Sequence, residues 1–256
     1  MIDSRALIDP SAKLANGVEV GPWSLIGPDV EIGEGTVIGP HVVVKGPTKI
    51  GKNNRIFQFA SVGEDCQDKK YAGEPTQLVI GDNNVIREGV TIHRGTIQDS
   101  GITTVGSDNL FMAYAHVAHD CVVGDHVIMA NNTAIAGHVH VGDWTILGGF
   151  TAVHQFCRIG AHVMCGTSTV VLKDIPDYIM ANGNTAQPHG INVEGLKRRG
   201  FTSEAIMNLK RAYKTIYRKK LTTIEALAEL RVLAQDCPEV TSLIQSIESS
   251  NRGIIR

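Results

Sequence analysis

The stretch from Val105 to Val171 reads VGSDNLFMAYAHVAHDCVVGDHVIMANNTAIAGHVHVGDWTILGGFTAVHQFCRIGAHVMCGTSTVV, and every sixth residue from its start is apolar. The series is Val105, Phe111, Val117, Val123, Met129, Ile135, Val141, Leu147, Val153, Ile159, Cys165 and Val171. Towards the N-terminus the same beat, displaced by one residue, runs through Ile92, Ile86 and Ile80. After a gap it continues from Val62 back through Ile56, Ile50, Val44, Ile38, Ile32, Ile26, Val20 and Leu14 to Ile8. Of these 25 positions 22 are Ile, Leu or Val, in a chain that is only 43% hydrophobic, so the pattern is not chance. The next residue is often Gly. The fourth one on is small or β-branched, as at Ala12, Ser24, Thr36, Val42, Ala60, Val127, Thr133 and Thr151.

A period of six suits neither an α-helix nor a simple strand. It suits a three-sided prism with one inward side chain per side, where Gly is expected to turn the corners. Three sides make a coil of 18 residues, and stacked coils pair in parallel at about 4.8 Å. A β-sandwich would instead need turn signals every 8–12 residues or so. The beat breaks at 63–79 and 93–104, both polar and rich in turn residues, and these read as loops ejected from the prism. It stops after Pro176. A helix is expected over about 203–220, a second after the capping box Thr222-Thr223-Ile224-Glu225, and a third starting at Pro238. The predicted organisation is a β-solenoid over 1–186 and a small helical domain over 187–256 that caps its open end.

Composition narrows the function. No apolar run approaches the roughly 18 residues of a membrane span, and MIDSRALIDPSAK has no apolar signal core, which predicts a cytoplasmic chain with reduced thiols. A net charge of −2 argues against a nucleic-acid binder. Residues 187–256 carry 12 of the 24 basic residues and 7 of the 26 acidic ones, so the tail is either a solvated basic face or a dock for an acidic partner. Cys121 and Cys157, two coils apart, are about 9.6 Å from one another, too far for a disulfide.

Coil arithmetic also places a site. His119, Gly137 and Gln155 are spaced by 18 and form one column. His138 and His154 flank it, and His116 lies on the same coil as His119, so histidines from three coils meet near one corner. Imidazole transfers protons near neutrality, which makes a general base the natural role. Asp120 follows His119, but neighbours on a strand face opposite ways, so it can orient the imidazole only across a local turn. A zinc site on three histidines, as in a γ-type carbonic anhydrase, and a non-enzymatic binding solenoid are the alternatives.

Longer strings carry a resemblance: QDKKYAGEPTQ, IREGVTIHRGT, AHVAHDCVVGDHVIMANN, AGHVHVGDW, AVHQFCRIGAHVM, NVEGLKRRGF and the terminal NRGIIR. The hexapeptide beat resembles the left-handed parallel β-helix acyltransferases, and these strings resemble the UDP-N-acetylglucosamine O-acyltransferases along the whole chain. The resemblance implies a homotrimer with sites between neighbouring prisms. It implies transfer of a 3-hydroxyacyl group from acidic acyl carrier protein to the 3-hydroxyl of UDP-N-acetylglucosamine, with no cofactor and no metal. By position, His119 resembles the general base and Gly137 the oxyanion donor, with Asp120 beside them. Gln67, Asp68, Lys70, His116, His138, His154 and Gln155 match positions that hold the sugar, diphosphate or acyl hydroxyl. Asn192, Glu194, Arg198 and Arg199 match positions near nucleotide and pantetheine, and Thr167 matches the floor of the acyl groove.

Overall fold

The structure, a computed structural model, describes residues 1–256. It is a left-handed parallel β-helix followed by a small helical tail. Three sheets of nine, eight and ten strands, parallel throughout except for the last strand of the third, form the sides of the prism. Most strands are two residues long, as in His116–Val117, which pairs in 18-residue register with Ala134–Ile135, and that in turn with Ala152–Val153. Each coil bonds to the next through its backbone, for example Ile146 N–H to Val163 O at 2.9 Å.

The inward side chains are those of the six-residue beat. Ile26, Ile56, Ile86, Phe111, Ile135 and Leu147 are among the largest fully buried ones. Beyond the first coil the fourth positions are buried too, and their threonines avoid an unsatisfied hydroxyl by donating to a carbonyl, as Thr145 Oγ1 does to Gly160 O at 2.7 Å.

Glycine does not turn the corners as expected. The left-handed corner conformation falls mostly to other residues, including Asp120 (φ 56°), His138 (φ 62°), Trp144 (φ 61°) and Phe156 (φ 65°). The glycines after the inward residues serve close approach instead. A side-chain carbon on Gly142 would lie 2.6 Å from the Ala161 amide nitrogen, so only hydrogen fits between these coils.

The ejected loops are shorter than the sequence breaks. Strands Ser61–Glu64, Gln77–Ile80, Thr91–His93 and Ile102–Val105 extend into both breaks, leaving loops at 65–76 and 94–101. Both loops run from the first sheet to the second, so they leave the prism at the same edge, the one that also carries His119. Arg94, almost fully buried, binds the loops together through Gly63 O, Asp65 and the Tyr71 hydroxyl.

The tail has four helices: α1 (Val193–Arg198), α2 (Ser203–Tyr217), α3 (Thr223–Leu233) and α4 (Pro238–Glu248). The capping box at Thr222 and Glu225 is present, and Pro238 opens α4. The six-residue α1 was not foreseen, being too short to show a period. The open end is not closed by helices alone. Strand Ile179–Asn182 continues the third sheet and pairs antiparallel with Gln187–Ile191, while Ile255 N–H reaches back to Asp174 O at 2.9 Å. No helix is long and apolar enough to cross a membrane.

Candidate active site

The corner between the first and second sheets reads His119-Asp120, Gly137-His138 and Gln155-Phe156 on successive coils. The turn that Asp120 needed is there, since its positive φ swings the carboxylate back toward the preceding residue. Asp120 Oδ2 lies 2.8 Å from His119 Nδ1. The same carboxylate accepts the Thr96 backbone N–H and the Thr96 hydroxyl, the latter at 2.6 Å. Burial alone would push this carboxyl up, but the hydrogen bonds from His119 and Thr96 outweigh it and hold it below its ordinary value. A carboxylate can only accept here. The proton of neutral His119 therefore sits on Nδ1, and Nε2 is its basic nitrogen.

Nε2 faces Gly137. A side-chain carbon at Gly137 would fall 2.5 Å from His119 Cε1 and 2.6 Å from Nε2, so the imidazole rests against the glycine α-carbon. The Gly137 N–H makes no hydrogen bond within the chain and is a free donor beside the base.

A groove of about 660 Å³ opens over this corner. Its floor is small and apolar, with Ala134, Ala136, Ala152 and Val153; its wall has His93, His116 and His119; its rim has Gln67, Asp68 and Lys69 from loop 65–76. Burial, with the charges of His93 and His119 adding to it, pushes His116 down to about 4, and burial also lowers His93. Both are thus neutral hydrogen-bonding groups at pH 7, and Thr91 Oγ1 meets His116 Nδ1 at 2.7 Å. His119 is 14% exposed, enough to meet a ligand from the groove.

Several expected residues stand elsewhere. Lys70 is exposed beside the groove, where its neighbour Lys69 lines the rim. His154 is exposed, with Nδ1 3.1 Å from Gln155 O, while Gln155 does line the groove. His138 stacks on Phe156 at 4.4 Å beside the groove. Asn192, Glu194, Arg198 and Arg199 do not line the groove. Asn192 is buried and caps α1, accepting from Gly195 N–H at 3.1 Å and donating to His162 O at 3.0 Å. Arg199 stands over Trp144 at 5.3 Å, on the edge that follows the second sheet. Glu194 pairs with Lys197 at 3.1 Å, and Arg198 is exposed. Thr167 is exposed on the third edge, across the first sheet from His119. The sequence reading missed His93, Lys69, Thr96 and Asp99. None of them leaves a trace in the period, since Lys69, Thr96 and Asp99 lie in the loops and His93 at the end of a strand.

Donor atoms of His119, Asp120 and His138 lie within 4.8 Å of one another, a spacing that could hold a metal ion. Yet the Asp120 carboxylate is fully buried and both its oxygens are engaged by His119 and Thr96, so the set is built as a hydrogen-bonded dyad. The five cysteines are free and buried, and burial pushes Cys157 up to about 11 and Cys121 to about 12, which leaves no nucleophilic thiolate.

The coiled six-residue repeat places the chain in the class of hexapeptide-repeat transferases: residues 102–137 match the bacterial transferase hexapeptide family of six repeats. Residues 174–255 match the family described as Udp N-acetylglucosamine O-acyltransferase, domain 2. The acyl-[acyl-carrier-protein]–UDP-N-acetylglucosamine O-acyltransferase of Pseudomonas putida is 64% identical, covering 100% of this chain and 99% of that protein. The UDP-N-acetylglucosamine O-acyltransferase structure from Moraxella catarrhalis is 48% identical, covers 100% and 99% of the two chains and superposes with a TM-score of 0.98. That from Arabidopsis is 36% identical over 100% of both chains, with a TM-score of 0.85. The chain belongs to the UDP-N-acetylglucosamine O-acyltransferase family, and it is an acyltransferase.

Proposed function

We propose that the protein moves a 3-hydroxyacyl group from the phosphopantetheine thioester of acyl carrier protein to the 3-hydroxyl of UDP-N-acetylglucosamine, a step of lipid A synthesis in the cytoplasm. His119 Nε2 takes the hydroxyl proton as the sugar oxygen attacks the thioester carbonyl. The Gly137 N–H donates to the oxyanion that forms. That attack makes the ester C–O bond; collapse of the oxyanion restores the carbonyl and breaks the C–S bond, and the imidazolium gives its proton to the departing thiolate. Asp120 keeps His119 in the Nδ1–H tautomer and balances the transient imidazolium. The family match of the whole chain supports the substrates, and the placement of His119 Nε2 against Gly137, whose N–H is unpaired, is the observation that carries the mechanism. No cofactor is needed for this chemistry.

The active unit is a homotrimer. Asn192 and Arg199, packed on His162 and Trp144, and Thr167 lie on edges that one prism cannot fold onto the His119 groove, which supports a cleft completed by a neighbouring chain. There His116, His138, His154 and Gln155 contact sugar and diphosphate, Gln67, Asp68 and Lys70 contact the glucosamine and acyl hydroxyl, and Glu194 and the arginines lie near nucleotide and pantetheine. Incubation with UDP-N-acetylglucosamine and 3-hydroxyacyl carrier proteins should give the 3-O-acylated sugar nucleotide. His119→Ala should lose about 10²- to 10⁴-fold in rate while remaining folded. Turnover near the wild-type level in that variant would remove His119 from the mechanism.

A further inference from the structure

One carboxylate at this corner has no part in the chemistry above. Asp99 lies in loop 94–101, half exposed, and its Oδ2 is 2.8 Å from Nδ1 of His138, 39 residues away in sequence. We propose that Asp99 is a positioning residue: it accepts the Nδ1–H of His138 and so fixes which edge of that ring faces the catalytic corner. The proposal rests on reading His138 as a contact to the nucleotide sugar.

The other contacts of the ring cannot make this choice. His138 stacks on Phe156 at 4.4 Å and 13°, and meets the His119 ring edge-on at 5.0 Å and 89°. Both contacts involve the ring as a flat disc. A half-turn about Cβ–Cγ leaves them nearly unchanged while exchanging Nδ1 with Cδ2 and Nε2 with Cε1. The backbone of His138, at φ 62°, sets where the ring lies but not which way round it sits. Only a polar partner tells the two orientations apart. With Nδ1–H on Asp99, Nε2 stands 3.9 Å from Asp120 Oδ2, on the side of the dyad, and the ring keeps 12% exposure for an incoming ligand. The flipped ring would present a C–H there and lose a hydrogen bond.

Loop 94–101 is well placed to deliver this carboxylate. Thr96 is pinned to Asp120 by its N–H and its hydroxyl, and three residues later Asp99 reaches His138. One loop from an earlier coil therefore touches both His–carboxylate pairs of the corner. Asp99 makes no other side-chain hydrogen bond, so its removal should leave the loop folded.

The test is a double-mutant cycle read as kcat/KM for UDP-N-acetylglucosamine. Asp99→Ala should lose about 3- to 10-fold, in KM for the sugar nucleotide rather than for the acyl carrier. Asp99→Asn, whose side-chain carbonyl still accepts Nδ1–H, should recover most of that loss. In a His138→Ala background, Asp99→Ala should cost nothing further. Ser100→Ala, which disturbs the loop without touching His138, should leave the kinetics unchanged. Equal losses in the Ala and Asn variants, or additive losses in the cycle, would overturn the proposal. A silent Asp99→Ala beside a damaged His138→Ala would sink the proposal and leave the reading of His138 intact. A silent His138→Ala would sink that reading, and the proposal with it.

Discussion

The imidazole of His119 rests on the α-carbon of Gly137, with Cε1 2.5 Å from where a side-chain carbon would stand. The base and the oxyanion donor are thus held one coil apart by contact, and each limits what the other can be. Gly137→Ala should therefore act through His119. The added methyl must push the ring aside, and the ring is the movable partner, so the fold should survive. Activity should fall about 10²- to 10⁴-fold, the scale set by losing a positioned general base, with thermal stability little changed. An alanine variant with wild-type turnover would show that the ring has room to spare.

Acid should weaken the fold through its buried imidazoles. Burial and nearby positive charge push His116 and His162 down to about 4, whereas the unfolded chain titrates near 6.5. Between those values the unfolded state binds more protons, so stability falls as pH drops through the window and levels off above it. Asp177, raised by burial, works against this only at the acid end. Melting temperature followed from about pH 7.5 to 4.5 should show the decline. His116→Asn should flatten it, and parallel curves for variant and wild type would count against His116 as a source.

The outward face of α2 carries Lys210, Arg211 and Lys214, with Arg218 at its end, all exposed. Lys197 and Arg198 of α1 add to this field, which suits an acidic carrier protein. KM for the acyl carrier should rise with ionic strength while KM for the sugar nucleotide changes less. Lys210→Glu with Arg211→Glu should raise the carrier KM at low salt. A carrier constant indifferent to salt would place docking elsewhere.

Thr167 should set acyl length. It is exposed in the single chain, so it can floor a groove only where a neighbour covers it. There a β-branched side chain resists a longer chain, and overpacking costs about 1–3 kcal/mol, or roughly ten- to a hundredfold between chain lengths. Thr167→Gly should shift selectivity toward longer 3-hydroxyacyl donors without speeding shorter ones. An unchanged ranking across a donor panel would dismiss Thr167 as the floor.

What could be read from the sequence follows the coil. One inward residue in six exposes the prism, and a repeat of 18 carries His119 to Gly137 and Gln155, because backbone pairing leaves that spacing no freedom. Loop residues escape this arithmetic. Lys69 and Asp99 reach the corner by paths that no period records, and His93 closes a strand just before its loop. Glycine was misjudged because the six-residue beat shows where it falls but not what lies above it. At Gly142 the reason is the Ala161 amide of the next coil. The capping of α1 by Asn192 could not be read either, since a short helix announces itself poorly.

Loops 65–76 and 94–101 leave the prism at the edge that carries His119. A residue added to any side of a coil would throw its inward side chains out of step with both neighbouring coils, and glycines packed like Gly142 leave no slack to absorb it. Within the prism, length can change cheaply only in those two loops. Evolution can therefore reshape the rim of the groove, by insertion or deletion, while the column of His119 and Gly137 stays in place. In this chain the freedom to vary and the chemistry that must not vary share a single edge.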